Sequence, residues 1–178
     1  MSTHASPDYI AALGEAFLAR RLRRLSDQFV DDIQAFLQAS GITCPARCLS
    51  TILLIAEAPG LGIVQVARQA QLSHPLVIDL LSQLESMRLV HFVPDEKDRR
   101  RRLVFLTPEG EAEVARLREA EPVVRAAYAE LSREIGVDLW KMADALDTAL
   151  ARRGFLQRLD GVADIRTLLA PRSPPPLR

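Results

Sequence analysis

The densest concentration of chemically useful side chains in this chain is the run Asp95-Glu96-Lys97-Asp98-Arg99-Arg100-Arg101-Arg102, five positive and three negative charges in eight residues. Four consecutive guanidinium groups at a protruding turn are suited to phosphate oxygens, because the planar fork of Arg matches phosphate geometry. On extended backbone, alternate side chains face opposite ways, so Arg100 and Arg102 should share one side and Arg99 and Arg101 the other. Asp98 lies two positions from Arg100 and can pair with it. The opposing reading is a solvated turn with offsetting charges, the ordinary state of an exposed charge run. A second group, Ser73, His74 and Pro75 followed by Ser82 and Gln83, carries hydroxyl, imidazole and carboxamide groups of the kind that hydrogen-bond base edges or phosphate. For His74, helix capping or plain solvent exposure is the alternative. Cys44 and Cys48, four apart, would lie on one helix face with Cα atoms roughly 6 Å apart, at the edge of disulfide reach. They form either a thiol-redox pair or a small buried hydrophobe beside an ordinary loop thiol.

Short elements must position these groups. The apolar residues Ile10, Leu13, Phe17, Leu22, Leu25, Phe29, Ile33 and Phe36 recur at steps of three to five and predict one long helix from Tyr9 to Leu37, ended by Ser40-Gly41. Pro45 suits the first turn of a second helix, Ala46 to Glu57, before Pro59-Gly60 and Gly62 break the chain. Two short helices follow, near Ile63 to Ala70 and His74 to Met87. A join of about three residues forces them to cross steeply, with the small Ala67 at their contact and Ser73 as N-cap. The period then becomes extended in Leu89-Val90-His91-Phe92-Val93 and Leu103-Val104-Phe105-Leu106, a hairpin whose tip is the arginine run. Thr107 should cap a helix reaching about Arg133, with Pro108 in its first turn and a kink at Pro122. Beyond Gly136, Val137 to Arg152 reads as a last helix with Leu139, Trp140, Ala143, Leu146 and Leu150 on its apolar face.

A steeply crossed helix pair followed by a basic hairpin is the arrangement of a winged helix-turn-helix. Its second helix fits the major groove, and its hairpin tip reaches along the backbone to the minor groove. The fold expected is therefore mainly α with a small β-hairpin wing. The chain has 178 residues, 48% hydrophobic and 26% charged, which suits one compact domain with helical extensions. Its formal net charge is zero, so affinity for a polyanion must come from local patches rather than the whole surface. The 23 basic residues are 21 Arg and 2 Lys. Two cysteines are too few for a disulfide framework and suit a reducing compartment. No apolar stretch long enough to span a bilayer and no secretory leader is evident, so a cytoplasmic location without membrane contact is expected. No glycine-rich phosphate loop, nucleophile elbow or zinc signature is visible, and His4, His74 and His91 show no ligand spacing with the cysteines. Neither catalysis nor a metal or other cofactor is expected.

The stretch from about Ala46 to Leu117 resembles the MarR family of winged helix-turn-helix transcription regulators. The resemblance is carried by Val66-Ala67 with Leu72-Ser73-His74-Pro75, by Leu84-Glu85 with Leu89-Val90, and by Asp98-Arg99-Arg100 with Leu103-Val104-Phe105-Leu106-Thr107-Pro108-Glu109-Gly110. It implies a homodimer bound to double-stranded DNA at a pseudo-palindromic operator, usually as a repressor released by a small, often aromatic ligand. It also implies a dimerisation helix at 8–45, a DNA-binding domain at 46–107 and C-terminal dimerisation helices at 108–170. A Pro-rich tail at 171–178 reads as disordered. Carried onto this chain, wing contacts fall to Arg99 and Arg100, with Asp98 orienting Arg100 and Arg101 and Arg102 beside them. Groove contacts start at Ser73 and continue through His74, Pro75, Ser82 and Gln83. Phe17, Phe36 and Cys48 would border a ligand cavity. The sequence departs from the family's pattern between Leu72 and Met87, where no Lys or Arg occurs and Ile78 and Asp79 take outward positions. Affinity should then lean on the wing, with Arg68 and Arg88 at the helix ends, and Asp79 could be held by Arg68. A winged helix used only for protein contact is the rival class.

Overall fold

The structure is a computed structural model that describes residues 9–162. His4, the proline-rich tail at 171–178 and the last residues of the 108–170 region lie outside that range. The elements in chain order are α1 (Tyr9–Ala12), a 3-10 turn (Glu15–Phe17), α2 (Leu18–Ala39), a second 3-10 turn (Ala46–Cys48), α3 (Leu49–Glu57), β1 (Leu61–Gly62), α4 (Ile63–Ala70), α5 (His74–Ser86), β2 (Val90–Pro94), β3 (Arg102–Leu106), α6 (Pro108–Ile135), α7 (Leu139–Arg152) and α8 (Phe155–Val162). The chain divides into two compact units, Met1–Val124 and Arg125–Arg178.

In the first unit, one core joins Leu37 of α2 and Ile52 and Ile55 of α3 to Val66 of α4, then to Val77, Leu81 and Leu84 of α5, Val104 of β3 and Leu117 of α6. Burying these branched side chains supplies the main drive to fold the lobe. The helix pair is set by local chemistry. Gln65 reaches back to accept a hydrogen bond from the Gly62 N–H at 2.9 Å, capping α4. Gln71 then takes a left-handed conformation (φ 55°) that ends the helix. Ser73 occupies the N-cap position of α5 as expected, with Pro75 in the first turn, although its hydroxyl makes no capping bond. The Leu-Thr-Pro-Glu-Gly block is a joint between wing and helix. Thr107 Oγ1 donates to the Arg88 carbonyl at 2.6 Å and accepts from the Gly110 N–H at 3.0 Å. Gly110 lies so close to the Leu89 carbonyl that a Cβ there would stand 2.0 Å from its oxygen, which leaves room for glycine alone.

Four expectations about the elements are corrected. The first long helix is not continuous from Tyr9: Gly14 has φ 75°, outside helical space for most residues, and the chain passes through a 3-10 turn before α2 begins at Leu18. The hairpin is part of a three-stranded antiparallel sheet ordered β1-β3-β2, in which Leu61 faces Val104 and Gly62 faces Leu103. A further helix, α8, follows Gly154. α6 runs unbroken through Pro122.

In the second unit, α7 is capped by Asp138, whose side chain accepts from the Lys141 N–H at 3.0 Å. Neither α7 nor α8 has a buried residue: Trp140 is 83% exposed, and Leu146, Leu150, Phe155 and Leu156 are exposed as well. Among the described residues, no helix is long and apolar enough to cross a membrane.

Candidate nucleic-acid interface

β2 and β3 pair from Val90 opposite Leu106 to Pro94 opposite Arg102, leaving residues 95–101 as the protruding tip. Backbone bonds close this tip: the Asp95 N–H donates to the Arg101 carbonyl at 3.0 Å, and the Arg101 N–H donates to the Asp98 carbonyl at 2.8 Å. Two aspartates add side-chain turns, Asp95 Oδ1 accepting from the Lys97 N–H at 2.9 Å and Asp98 Oδ1 from the Arg100 N–H at 3.1 Å. Asp98 therefore holds the backbone of Arg100 and not its guanidinium, a correction to the expected side-chain pair.

The four arginines divide by role. Arg101 donates to Gln65 Oε1 at 3.2 Å and lies 3.8 Å from Asp95 Oδ2, tying the wing to α4. Arg102 lies over the Phe92 ring at 4.3 Å and pairs with Glu85 of α5 at 3.3 Å, tying the wing to the second helix. Both are tied to the lobe through these partners, while their side chains stay half-exposed. Arg99 and Arg100 are exposed, and among the described residues neither has a carboxylate partner. Arg100 and His74, with Arg101 and Arg102, border a hollow of about 200 Å3 against Gly62, Ile63 and Val64, so the wing and the first turn of α5 share one surface.

Along α5, Val77, Leu80, Leu81 and Leu84 are buried. His74, Pro75, Leu76, Ile78, Asp79 and Ser82 are exposed, as is Ser73 before the helix. Gln83 differs from its expected part. It is half-buried, and its Oε1 accepts from Arg47 Nε at 2.8 Å while facing the Cys48 thiol at 3.5 Å, so only its NH2 group is left for a base edge. Arg68 and Arg88 are exposed near the ends of α4 and α5. Among the described residues, Asp79 forms no ion pair with Arg68 or any other cation.

Arg47 was not singled out by the sequence. It lies in the turn before α3, where nothing in its neighbours signals a role, and folding brings it against α5. Two of its donors hold Gln83, while the rest of the guanidinium stays exposed. Glu113 is the other omission. It is fully buried on α6. Its Oε1 accepts from the Thr43 hydroxyl at 2.8 Å and from the Thr43 and Cys44 N–H groups at 2.5 and 2.6 Å, and Oε2 accepts from Arg116. Burial alone would raise its pKa, but the Arg116, Thr43 and Cys44 hydrogen bonds outweigh that and hold the carboxyl below its ordinary value.

Both cysteines are buried and unpaired. Burial, then the neighbouring Cys48 and Glu113, push the Cys44 thiol up to about 12. Burial also raises Cys48, against an opposing pull from Arg47. Thiolate is the reactive form, so these environments favour structural thiols over a redox switch, with Cys44 fully buried and not the ordinary loop thiol expected. The three residues expected around a ligand do not converge. Phe17 ends the 3-10 turn before α2 and Phe36 lies in the last turn of α2, about 28 Å apart at 1.5 Å per residue. Phe36 packs on the core that contains Cys48, whereas Phe17 is exposed. Among the described residues no group of His, Cys, Asp and Glu could hold a metal ion.

No family model matches the chain. The transcriptional activatory protein BadR of Rhodopseudomonas palustris is 33% identical over 103 residues, 57% of this chain and 58% of that protein, so the match spans less than two thirds of the relative's length. The PcaV transcriptional regulator from Streptomyces coelicolor, solved with its natural ligand, has a TM-score of 0.58 at 21% identity, covering 84% of this chain and 98% of that one. The transcriptional repressor CouR, bound to a 23-mer DNA duplex, has a TM-score of 0.55 at 23% identity, covering 76% and 90%. The MarR family regulator SP03579 gives 0.55 at 19% identity, covering 82% and 92%. The chain has the winged-helix fold of MarR-type transcriptional regulators. In this MarR-type fold, α4 and α5 form the helix-turn-helix and β2 and β3 the wing. The proteins compared are described as transcriptional regulators.

Proposed function

We propose that this chain is a sequence-specific regulator of transcription that acts as a homodimer on a pseudo-palindromic operator in the cytoplasm. The observation that carries this reading is the shared surface of wing and helix: Arg99 and Arg100 are exposed at the tip, and His74 at the start of α5 borders the same hollow as Arg100. Guanidinium groups without internal carboxylate partners release counterions when they meet phosphates, which supplies affinity independent of sequence. α5 would lie in the major groove and supply selectivity, with Ser73, Pro75 and Ser82 beside His74. Arg47, Arg68 and Arg88 would add backbone contacts around it. The DNA-bound state of CouR, which shares the fold, supports the choice of partner. The test is retardation of duplex from the chain's own promoter in the presence of excess scrambled competitor. A specific shift is expected. No shift at low salt would move the chain to the protein-contact class.

Dimerisation is proposed from the apolar side chains that α7 and α8 leave in water. Light scattering should give about twice the 19.8 kDa chain mass. Leu146→Glu, placing a charge in that stripe, should shift the mass toward one chain without unfolding the DNA-binding lobe. A parent that is monomeric at micromolar concentration would contradict it. Repression relieved by a small aromatic ligand is the regulatory mode we assign. PcaV, solved with its natural ligand, supports ligand control; CouR's description as a repressor supports the sign, and BadR's as an activatory protein opposes it. A ligand acts by binding the two conformations with different affinity, so adding it should weaken the DNA complex. Phe36 and Cys48 border the region we assign to it, without Phe17.

A further inference from the structure

Helix α5 lacks the side chains of the commonest guanine contact. From Leu72 to Met87 it offers no Lys or Arg, so the bidentate arginine contact to guanine O6 and N7 cannot come from it. Among the polar His74, Asp79, Ser82, Glu85 and Ser86 it exposes apolar groups as well: Leu76 and Ile78 are each 41% exposed, and Pro75 lies in the open beside them. Pro75, Ile78 and Ser82 follow at spacings of three and four and share one face. Apolar side chains left in water gain from any partner that covers them, and the surrounding charge decides which partner fits.

On one flank that charge is positive at Arg47, held against the neutral Gln83; on the other, Arg102 is paired with Glu85, and the net positive charge comes from the wing arginines beyond it. Gln83 and Glu85 are two residues apart, roughly 200° around the helix axis, so the two guanidinium groups stand on opposite sides of α5. The wing places Arg99 and Arg100 beyond Arg102. An apolar strip between cations fits a groove whose rims are phosphates. Within that groove the one apolar group is the 5-methyl of thymine.

Building on the DNA-binding reading above, we infer that Ile78 reads thymine methyl groups in the major groove, so that the chain selects its half-sites by apolar contact with thymine and not by arginine contact with guanine. Asp79, exposed next to it, fits the same pattern, because a carboxylate accepts from the N4 amino group of cytosine. The helix face thus matches what pyrimidines display.

The test uses full-length protein and duplexes it selects from a random pool, resynthesised with deoxyuridine in place of thymidine one position at a time. Uracil lacks only the methyl group. At one or two positions per half-site the parent should lose about fourfold in affinity, the value of one buried methyl-sized group. Ile78→Ala should bind the thymine and uracil duplexes alike at those positions, and Ile78→Val should keep the discrimination, an interaction read as a double-mutant cycle. Because Ile78 is outside the core, both variants should melt with the parent. Indifference of the parent to uracil everywhere, or full discrimination by Ile78→Ala, overturns the inference and leaves DNA binding standing. Failure of the parent to select or retard any duplex overturns the DNA reading and the inference together.

Discussion

Replacing Arg99 and Arg100 together with alanine is expected to weaken binding to every duplex by on the order of 100-fold at physiological salt, because each loses a charge-assisted contact to phosphate. The two side chains stand at the turn between β2 and β3 with no carboxylate partner among the described residues. Their charge is therefore available to DNA without first breaking an internal pair. The loss should be nearly uniform across sequences, since phosphates carry no base identity. Folding should be untouched: the turn is held by the Asp95 and Asp98 carboxylates on backbone N–H groups and by the backbone bonds of Asp95 and Arg101. Fluorescence anisotropy on specific and random duplexes, with thermal melts alongside, measures both quantities. Parent-like affinity in the double variant would take the wing out of the mechanism.

The second large effect falls on stability. Glu113→Ala should cost about 3 kcal/mol, because it strips the Thr43 and Cys44 N–H groups of their acceptor and leaves Arg116 unpaired. Glu113→Gln keeps an acceptor oxygen but not the charge and should cost roughly half as much. Urea unfolding reads both as shifts of the midpoint at constant slope. The pH dependence fixes the cause. The folded carboxyl titrates below its ordinary value near 4.5, so its contribution is fully present above that pH and is lost as pH falls through the lower folded value. The gap between parent and Glu113→Gln should accordingly be constant from pH 6 to 8 and narrow below about 4.5. A gap that stays the same into acid would mean that the carboxylate charge is not what holds the loop at Thr43 to α6.

Periodicity exposed most of the helical scaffold because the lobe is built from amphipathic segments with ordinary punctuation. Thr107, Pro108 and Gly110 act as cap, first-turn proline and close-approach glycine. β1 escaped because two residues after a Pro-Gly turn carry no alternation to detect, and its pairing with β3 is a long-range event. The break at Gly14 was masked by an apolar stripe that keeps its spacing across it. At the interface, composition located the wing, but it could not say which arginines are spent on Glu85, Phe92, Asp95 and Gln65, since those partners come from α4, α5 and β2. The same limit hid Arg47 behind Gln83. Glu113 had a legible signal, a charge beside Val114 on the stripe continued by Leu117 and Ala120, all of them buried. A carboxylate on an apolar face implies a buried donor set, here the backbone of a loop seventy residues away.

The measurement that tests the central claim most directly is the affinity of the full-length protein for its own promoter duplex across a series of salt concentrations. Counterion release by exposed arginines predicts a straight, steep fall of log affinity with log salt, each phosphate contact adding about 0.9 to the slope. Binding that is absent at low salt, or that does not change as salt rises, would contradict an arginine-tipped grip on the phosphate backbone.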